Sequence, residues 1–296
     1  MKYAFLILAH TDPNQLFALV ESLDDWQFDI YIHLDAKANI NEFLQVLEIT
    51  NKSEVKILDE RYDVKWGDII MVKAMLDLYT LALKNGEYNR YTMLSGLDFP
   101  LKSTKEIKKY FESNKNTELI MGNPLRGAEI KKVTSRNFLE INNRYLRYAL
   151  RRTVGRIKFQ SPYLMINGKK CDVYFAPQWH SLSEKCVIYI LSTIESNPQI
   201  LQYFRYSYAP DELLIPTIIF NSPYLENTMK QNFPNDTHYN NKCAIHHINY
   251  DPIVQVFTVE DYDDLIASDK LFCRKVCTGI SDSLLKRLSE NEFSYK

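Results

Sequence analysis

Asp211 and Glu212 stand side by side after a proline in SYAPDELLIPTIIFNS, residues 207–222, and the residues that follow are almost all apolar. Two carboxylates at the mouth of a segment built for burial admit two readings. The first turn of a helix leaves amide groups unpaired and carries the positive end of the helix dipole, so acids there can simply cap. A carboxylate partly stripped of water at the rim of a cleft is also a competent general base. Pro216 lies four residues beyond Glu212 and cannot donate to its carbonyl, so a helix over DELLIPTIIF should kink near its start. Arg274 and Lys275, in FCRKV, set two adjacent cations within an apolar flank. Solvation is the ordinary explanation; neutralising a departing diphosphate without a metal is the chemical one.

Other groupings carry less. Asp261-Tyr-Asp263 has the D-x-D spacing by which many sugar-nucleotide enzymes hold a divalent ion, but Thr258 with Asp261 also reads as a capping box, and capping is the expectation. His246 and His247 are adjacent in a strand pattern, so they point to opposite faces and cannot chelate one ion together. Ser95-Gly-Leu-Asp98 is not a G-x-S-x-G elbow, which leaves a serine hydrolase unsupported. The cysteines are five and scattered, at 171, 186, 243, 273 and 277, as expected of reduced thiols in a cytoplasmic protein.

The elements that must position these groups alternate. Tyr3–Ala9 reads as a buried strand, NQLFALVESL as a helix, Phe28–Leu34 as a second strand ending at Asp35, and 52–58 as a third. Residues 68–83 form a long apolar helix, 91–94 another strand, and Ser103 with Glu106 a capping box that opens the next helix. Glu118–Met121 is expected to close this series. Further strands are expected at 172–176 and 244–249, and helices at 183–194 and 259–267. Strand and helix in alternation imply an α/β fold: a mostly parallel twisted sheet flanked by helices. Ligands of such sheets sit beyond the carboxyl ends of the strands, here Ala9-His10, Asp35 and Ser95–Asp98. Asp35 is placed to hold a ribose hydroxyl, or merely to form a turn. The first turn, AHTDPNQ, lacks G-x-G-x-x-G, so a mononucleotide fits better than a dinucleotide.

Totals exclude some functions. With 36 basic and 37 acidic residues the chain of 296 is nearly neutral and is not a general electrostatic binder of nucleic acid. Its 8 glycines argue against phosphate-cradling loops of the Gly-rich kind, and the 38 aromatic rings offer stacking faces for sugars, though most must be core. The apolar run in MKYAFLILAHTDP is too short for a signal-peptide core or a membrane span, so a cytoplasmic location is expected. Charge is uneven, however. Residues 126–158 hold ten basic side chains against Glu129 and Glu140, and Arg144, Arg147 and Arg151 share one helical face with Tyr145 and Tyr148 interleaved. That face suits a phosphate-bearing acceptor or an anionic membrane surface, possible at the inner leaflet, better than nucleic acid; a solvated helix with no partner is the plain alternative.

Taken in order, YAFLILAHTDPNQL, YIHLDAK, RYDVKWGDIIMVKAML, YTMLSGLDFPLKSTKEI, APQWHSLSEKCVIYI, YAPDELLIPTIIFNS and SDKLFCRKV resemble the core-2/I-branching β-1,6-N-acetylglucosaminyltransferases, the family that also holds the peptide O-xylosyltransferases. The likeness covers roughly 1–110 and 172–280. It implies a GT-A-like nucleotide-sugar-binding fold in a single domain over 1–296, with a nucleotide-binding half at 1–120 and an acceptor and catalytic half at 121–296. It also implies inversion at the anomeric carbon, a UDP-sugar donor and no divalent metal or other cofactor. Carried onto these residues, it makes Glu212 the base and Lys275 the diphosphate-binding lysine, with Arg274 beside it. Ala9, His10, Asp35, Lys37 and Arg61 fall on the donor side, and Asp98, Trp179 and Asp211 on the acceptor side. At HHINY the family often has an arginine assisting the diphosphate; the resemblance leaves His246 or His247 to take that place here. The implied reaction moves a sugar, most often N-acetylglucosamine and otherwise xylose or another sugar, to a glycan hydroxyl; the expected cytoplasmic location would suit surface polysaccharide synthesis on a lipid-linked oligosaccharide. A glycoside hydrolase would need two carboxylates facing each other across the bond. A non-catalytic sugar- or polyanion-binding protein is the other alternative.

Overall fold

The computed structural model describes residues 1–138, 141, 143–154, 157–229, 242–251 and 253–293; Glu140 and Arg156 of the basic segment lie outside them. At the centre, β1 (Tyr3–Ala9) pairs in parallel with β2 (Phe28–Leu34) on one side and β4 (Arg90–Ser95) on the other, and β2 pairs with β3 (Glu54–Ile57). β1 is apolar throughout because both its faces are covered: Tyr3, Phe5, Ile7 and Ala9 enter one core cluster, Ala4 and Leu6 the other. α1 (Pro13–Ser22) and α3 (Thr104–Ser113) line the first face through Leu16, Leu19, Ile107 and Phe111. The second face meets α2 (Ile69–Asn85), and later α6 (Glu184–Ser196) and α8 (Leu214–Phe220). The capping box on α3 forms as expected, with Ser103 and Glu106 exchanging bonds.

The strand order matters for function. Reading from β4 through β1 and β2 to β3, the chain reverses its direction of winding between β1 and β4. At such a switch point the loops diverge and leave a crevice at the carboxyl ends of the strands. Here those ends are Ala9-His10 and Ser95-Gly96. The Gly96 N–H donates to the Leu8 carbonyl (2.9 Å), and a Cβ at Gly96 would lie 3.1 Å from that of Ala9. Glycine thus lets the turn into β5 (Asp98–Pro100) press against the end of β1.

β5 belongs to a second, three-stranded sheet with strand Phe272–Arg274 and strand His246–Ile248. Its antiparallel register sets Arg274 opposite Asp98. Residues from the far end of the chain are thereby delivered to the switch point. Asp12, after β1, completes the junction by accepting from both the N–H and the hydroxyl of Thr278.

Four expectations need correction. Glu118–Met121 is not a strand of the central sheet; Glu118 and Leu119 make only isolated bridges, and strand Ser181–Ser183 takes the edge beside β4 in antiparallel. The strand expected at 172–176 is split between Lys169–Asp172 and Tyr174–Phe175. The strand expected at 244–249 is three residues long, His246–Ile248. DELLIPTIIF is not one kinked helix. Pro210–Glu212 forms a 3-10 turn, and α8 starts afresh at Leu214 with Pro216 in its first turn, where no N–H is required. The Glu212 carbonyl that Pro216 cannot reach accepts instead from the Ala176 N–H at 3.0 Å. Proline here separates the carboxylate turn from the helix rather than bending it.

Candidate active site

His10, Asp35, Lys37, Arg274 and Lys275 converge beyond the carboxyl ends of the central strands. His10 and Asp35 directly follow β1 and β2, Lys37 lies 3.6 Å from Asp35, and the second sheet lays Arg274 opposite Asp98. The His10 imidazole is pushed below its ordinary value, first by enclosure; Asp35 opposes this, and Arg274, Lys275 and Lys37 add to it. Cations so arranged disfavour one more positive charge and attract an anion. Lys275 is half-buried, its backbone held on both sides by Gln255 and Phe257.

Beneath these cations lies a polar anchor that the sequence alone does not reveal. Asp98 is wholly buried. Its Oδ1 accepts from the Arg274 guanidinium at 2.8 Å, and its Oδ2 accepts from His246 Nε2 at 3.0 Å and from the Ser95 N–H at 2.7 Å. Burial alone would raise this carboxyl, but the charges of His246 and Arg274 and the bonds it accepts hold it below the usual carboxylate range. His246 is lowered by burial, with Asp98 partly restoring it. Trp179 walls the cluster: its indole N–H donates to Ser95 Oγ (2.9 Å), Arg274 lies 5.1 Å from its ring centre, and His246 lies 5.4 Å away.

This changes the reading of several residues. Asp98 has both oxygens occupied inside the protein, so it positions Arg274 rather than standing free for an acceptor. His246 is spent on Asp98, and His247, on the opposite face, bonds Ser268 Oγ and pairs with Asp264. Neither stands where a diphosphate-assisting arginine would need to be exposed. Arg61 donates to the carbonyls of Leu34, Asp35 and Ala38, so it staples the loop after β2. Asp35 accepts from the N–H groups of Lys37 (2.8 Å) and Val64 (3.1 Å), the work of a turn former. The Ala9 carbonyl accepts from the Asp35 N–H. Lys37 pairs with Asp63 at 2.7 Å. Of the D-x-D pair, Asp261 closes the capping box on Thr258, and Asp263 lies 3.8 Å from Arg287. Among the described residues no group of three or more His, Cys, Asp or Glu is arranged to hold a metal ion.

The carboxylate turn is tied to this region through Cys243, which packs with Trp179. Glu212 is half-buried; Asp211 is buried, and its Oδ1 has no hydrogen-bond partner among the described residues. Burial first, then the neighbouring Glu212 charge, raises Asp211 to about 7. Cys243, which packs with Trp179, feels the Glu212 charge, as does Tyr208. α2 packs against the turn and fixes it from below. Tyr208 also lines a cavity of about 540 Å³ that reaches Lys37, Trp66, Arg147 and Arg151. Trp66 and Tyr208, neither singled out by sequence as site residues, meet edge to face at 5.2 Å.

An α/β sheet with a cation-lined crevice at its switch point and a carboxylate turn beside it is a ligand-handling scaffold. The profile of the Core-2/I-Branching enzyme family matches residues 3–265, and the chain belongs to that family. Human xylosyltransferase 1 is 23% identical over 261 residues, which is 84% of this chain and 25% of that protein. The human probable β-1,3-galactosyl-O-glycosyl-glycoprotein β-1,6-N-acetylglucosaminyltransferase 7 is 25% identical over 211 residues, 71% of this chain and 47% of that one. The chain therefore matches about a quarter to a half of the length of these relatives. Among solved structures, mouse xyloside xylosyltransferase 1 aligns over 94% of this chain and 98% of its own, at 10% identity and a TM-score of 0.37. A likeness at that level adds nothing to the fold reading, which stands on the sheet order and the family.

Proposed function

We propose that the chain is an inverting glycosyltransferase that moves a sugar from a UDP-sugar to a hydroxyl of a glycan, with Glu212 as general base. The observation that carries this reading is the convergence of Lys275 and Arg274 with His10, Asp35 and Lys37 at the switch point. Arg274 is held there by Asp98, which is 0% exposed. The acceptor hydroxyl gives its proton to the Glu212 carboxylate as its oxygen bonds to the sugar C1. The bond from C1 to the phosphate oxygen breaks, and its electron pair leaves with UDP. Lys275 and Arg274 face the charge that grows on that leaving group, which is the task a divalent ion performs in other designs. The engagement of Asp261 in a helix cap supports a metal-free donor site.

The family and the relatives support N-acetylglucosamine or xylose as the donor sugar. The acceptor is a surface polysaccharide under construction, presented on a lipid carrier at the inner face of the membrane. Five unpaired cysteines support a reducing compartment. α5 (Arg144–Arg152), which exposes Tyr145, Leu146 and Tyr148 among its arginines, supports contact with an anionic surface. Among the described residues no helix is long and apolar enough to cross a membrane. A screen of nucleotide sugars for binding and slow donor hydrolysis tests the reading. Saturable binding of one UDP-sugar with release of its sugar supports it. Binding of none, with activity on simple glycosides, contradicts it.

A further inference from the structure

We infer that the cavity between α5 and the loop after β3 binds an acidic group of the acceptor, so that the substrate glycan carries a phosphate or carboxylate. The inference rests on the transferase reading above and names the class of its acceptor.

Four cations line the cavity: Lys37, Lys65, Arg147 and Arg151. Asp63 is the one carboxylate among the lining residues, and it is engaged by Lys37 at 2.7 Å. Arg147 and Arg151 have no ion pair among the described residues, whereas Arg152 and Arg144 on the same helix reach the hydroxyls of Tyr148 and Tyr145. One turn apart, Arg147 and Arg151 present two guanidinium forks to the same space, a geometry suited to phosphate or carboxylate. A bare surface patch would serve a flat membrane; a concavity with aromatic walls suits a sugar. Trp66 is 67% exposed at the rim, and Tyr208 meets it edge-on. A large exposed indole beside arginines is a stacking platform for a pyranose ring.

The position is right for an acceptor. Tyr208 lines the cavity and stands two residues before the Pro210–Glu212 turn, so it joins the arginines to the carboxylates. A glycan with its acidic group on Arg147 and Arg151 and a ring against Trp66 and Tyr208 therefore lies beside the loop that carries Glu212. The two arginines thus hold substrate charge, while the outward Tyr145, Leu146 and Tyr148 remain for the membrane.

The test titrates the full chain, loaded with UDP, with galactose 6-phosphate, galacturonate and galactose, following Trp66 fluorescence and heat. We expect both acidic sugars to bind at least about tenfold more tightly than galactose. The preference should be lost in Arg147→Gln/Arg151→Gln and in each single variant in part. Arg152→Gln removes the same charge outside the cavity and should change the acidic-sugar affinity by less than about twofold. Equal affinity for the three sugars, no binding of the acidic ones, or an unchanged preference in a folded double variant overturns the proposal. Vesicles of phosphatidylglycerol and of phosphatidylcholine form the second arm. Binding to the anionic vesicles that depends on Arg147 and Arg151, without any acidic-sugar preference, assigns the pair to lipid and also overturns it. UDP binding is read in the same titrations. Its absence, with the acidic-sugar preference intact, would remove the transferase reading and leave the anion site standing.

Discussion

Replacing Asp98 by asparagine tests the anchor beneath the donor cations. The substitution keeps shape and removes charge from a site where the Asp98 side chain is 0% exposed, His246 is 0% and Arg274 is 17%. Breaking a buried ion pair by deleting one partner costs about 3–5 kcal/mol, because the other charge stays behind unpaired. Arg274 retains some contact with water, which puts the expectation near the lower end, at about 3 kcal/mol. The loss depends on pH. Asp98 titrates below its unfolded value, so its contribution is present above the ordinary carboxylate range and disappears as pH falls through the folded value. His246, lowered in the fold, adds acid sensitivity of the same sign below its ordinary value. Urea denaturation of both proteins from pH 7 down to pH 2 measures this: a gap near 3 kcal/mol at pH 7 that narrows only below the ordinary carboxylate range, under about pH 4. Arg274, no longer tethered, should also weaken UDP binding about tenfold or more. Asp98→Asn/Arg274→Met should be more stable than Asp98→Asn alone, since it leaves no buried cation. A loss under 1 kcal/mol at pH 7 with unchanged UDP affinity would refute the anchor.

Three further outcomes follow from the geometry. Asp211, raised to about 7, binds a proton in the fold that the unfolded chain has released, so stability should fall as pH rises from the ordinary carboxylate range to about 7, by at most about 1.4 kcal/mol per pH unit. Asp211→Asn should flatten that slope, and an unchanged denaturation profile between pH 4 and pH 7 would contradict the assignment. Asp35→Ala leaves the Lys37 and Val64 N–H groups without their acceptor and should cost about 1–3 kcal/mol in thermal denaturation; no loss would contradict the turn-forming role. Turnover should survive EDTA, and complete loss restored by manganese would return Asp261 and Asp263 to consideration as ligands.

Local chemistry made much of this fold legible from sequence. β1 and β2 fall where apolar runs place them, and Ser103-x-x-Glu106 caps α3, because each signal is complete within a few residues. The site was legible only in part, because its key contact joins Asp98 to Arg274 across 176 positions through a β ladder. No spacing rule anticipates that pairing, and without it Asp98 looks like an exposed end-of-strand acid. Arg61 shows a related limit. The resemblance puts it on the donor side, yet its three bonds go to backbone carbonyls. Pro216 ends one element and begins another rather than kinking a single helix. Its missing N–H defines where α8 begins, and the orphaned Glu212 carbonyl finds Ala176, a partner from another part of the chain.

Turnover and UDP-sugar affinity of Glu212→Gln, measured side by side with the unaltered chain, bear most directly on the mechanism. The account predicts a fall in the transfer rate of about 10²–10⁴-fold, the usual worth of a positioned base, with donor affinity nearly intact. Full activity in that variant would contradict it.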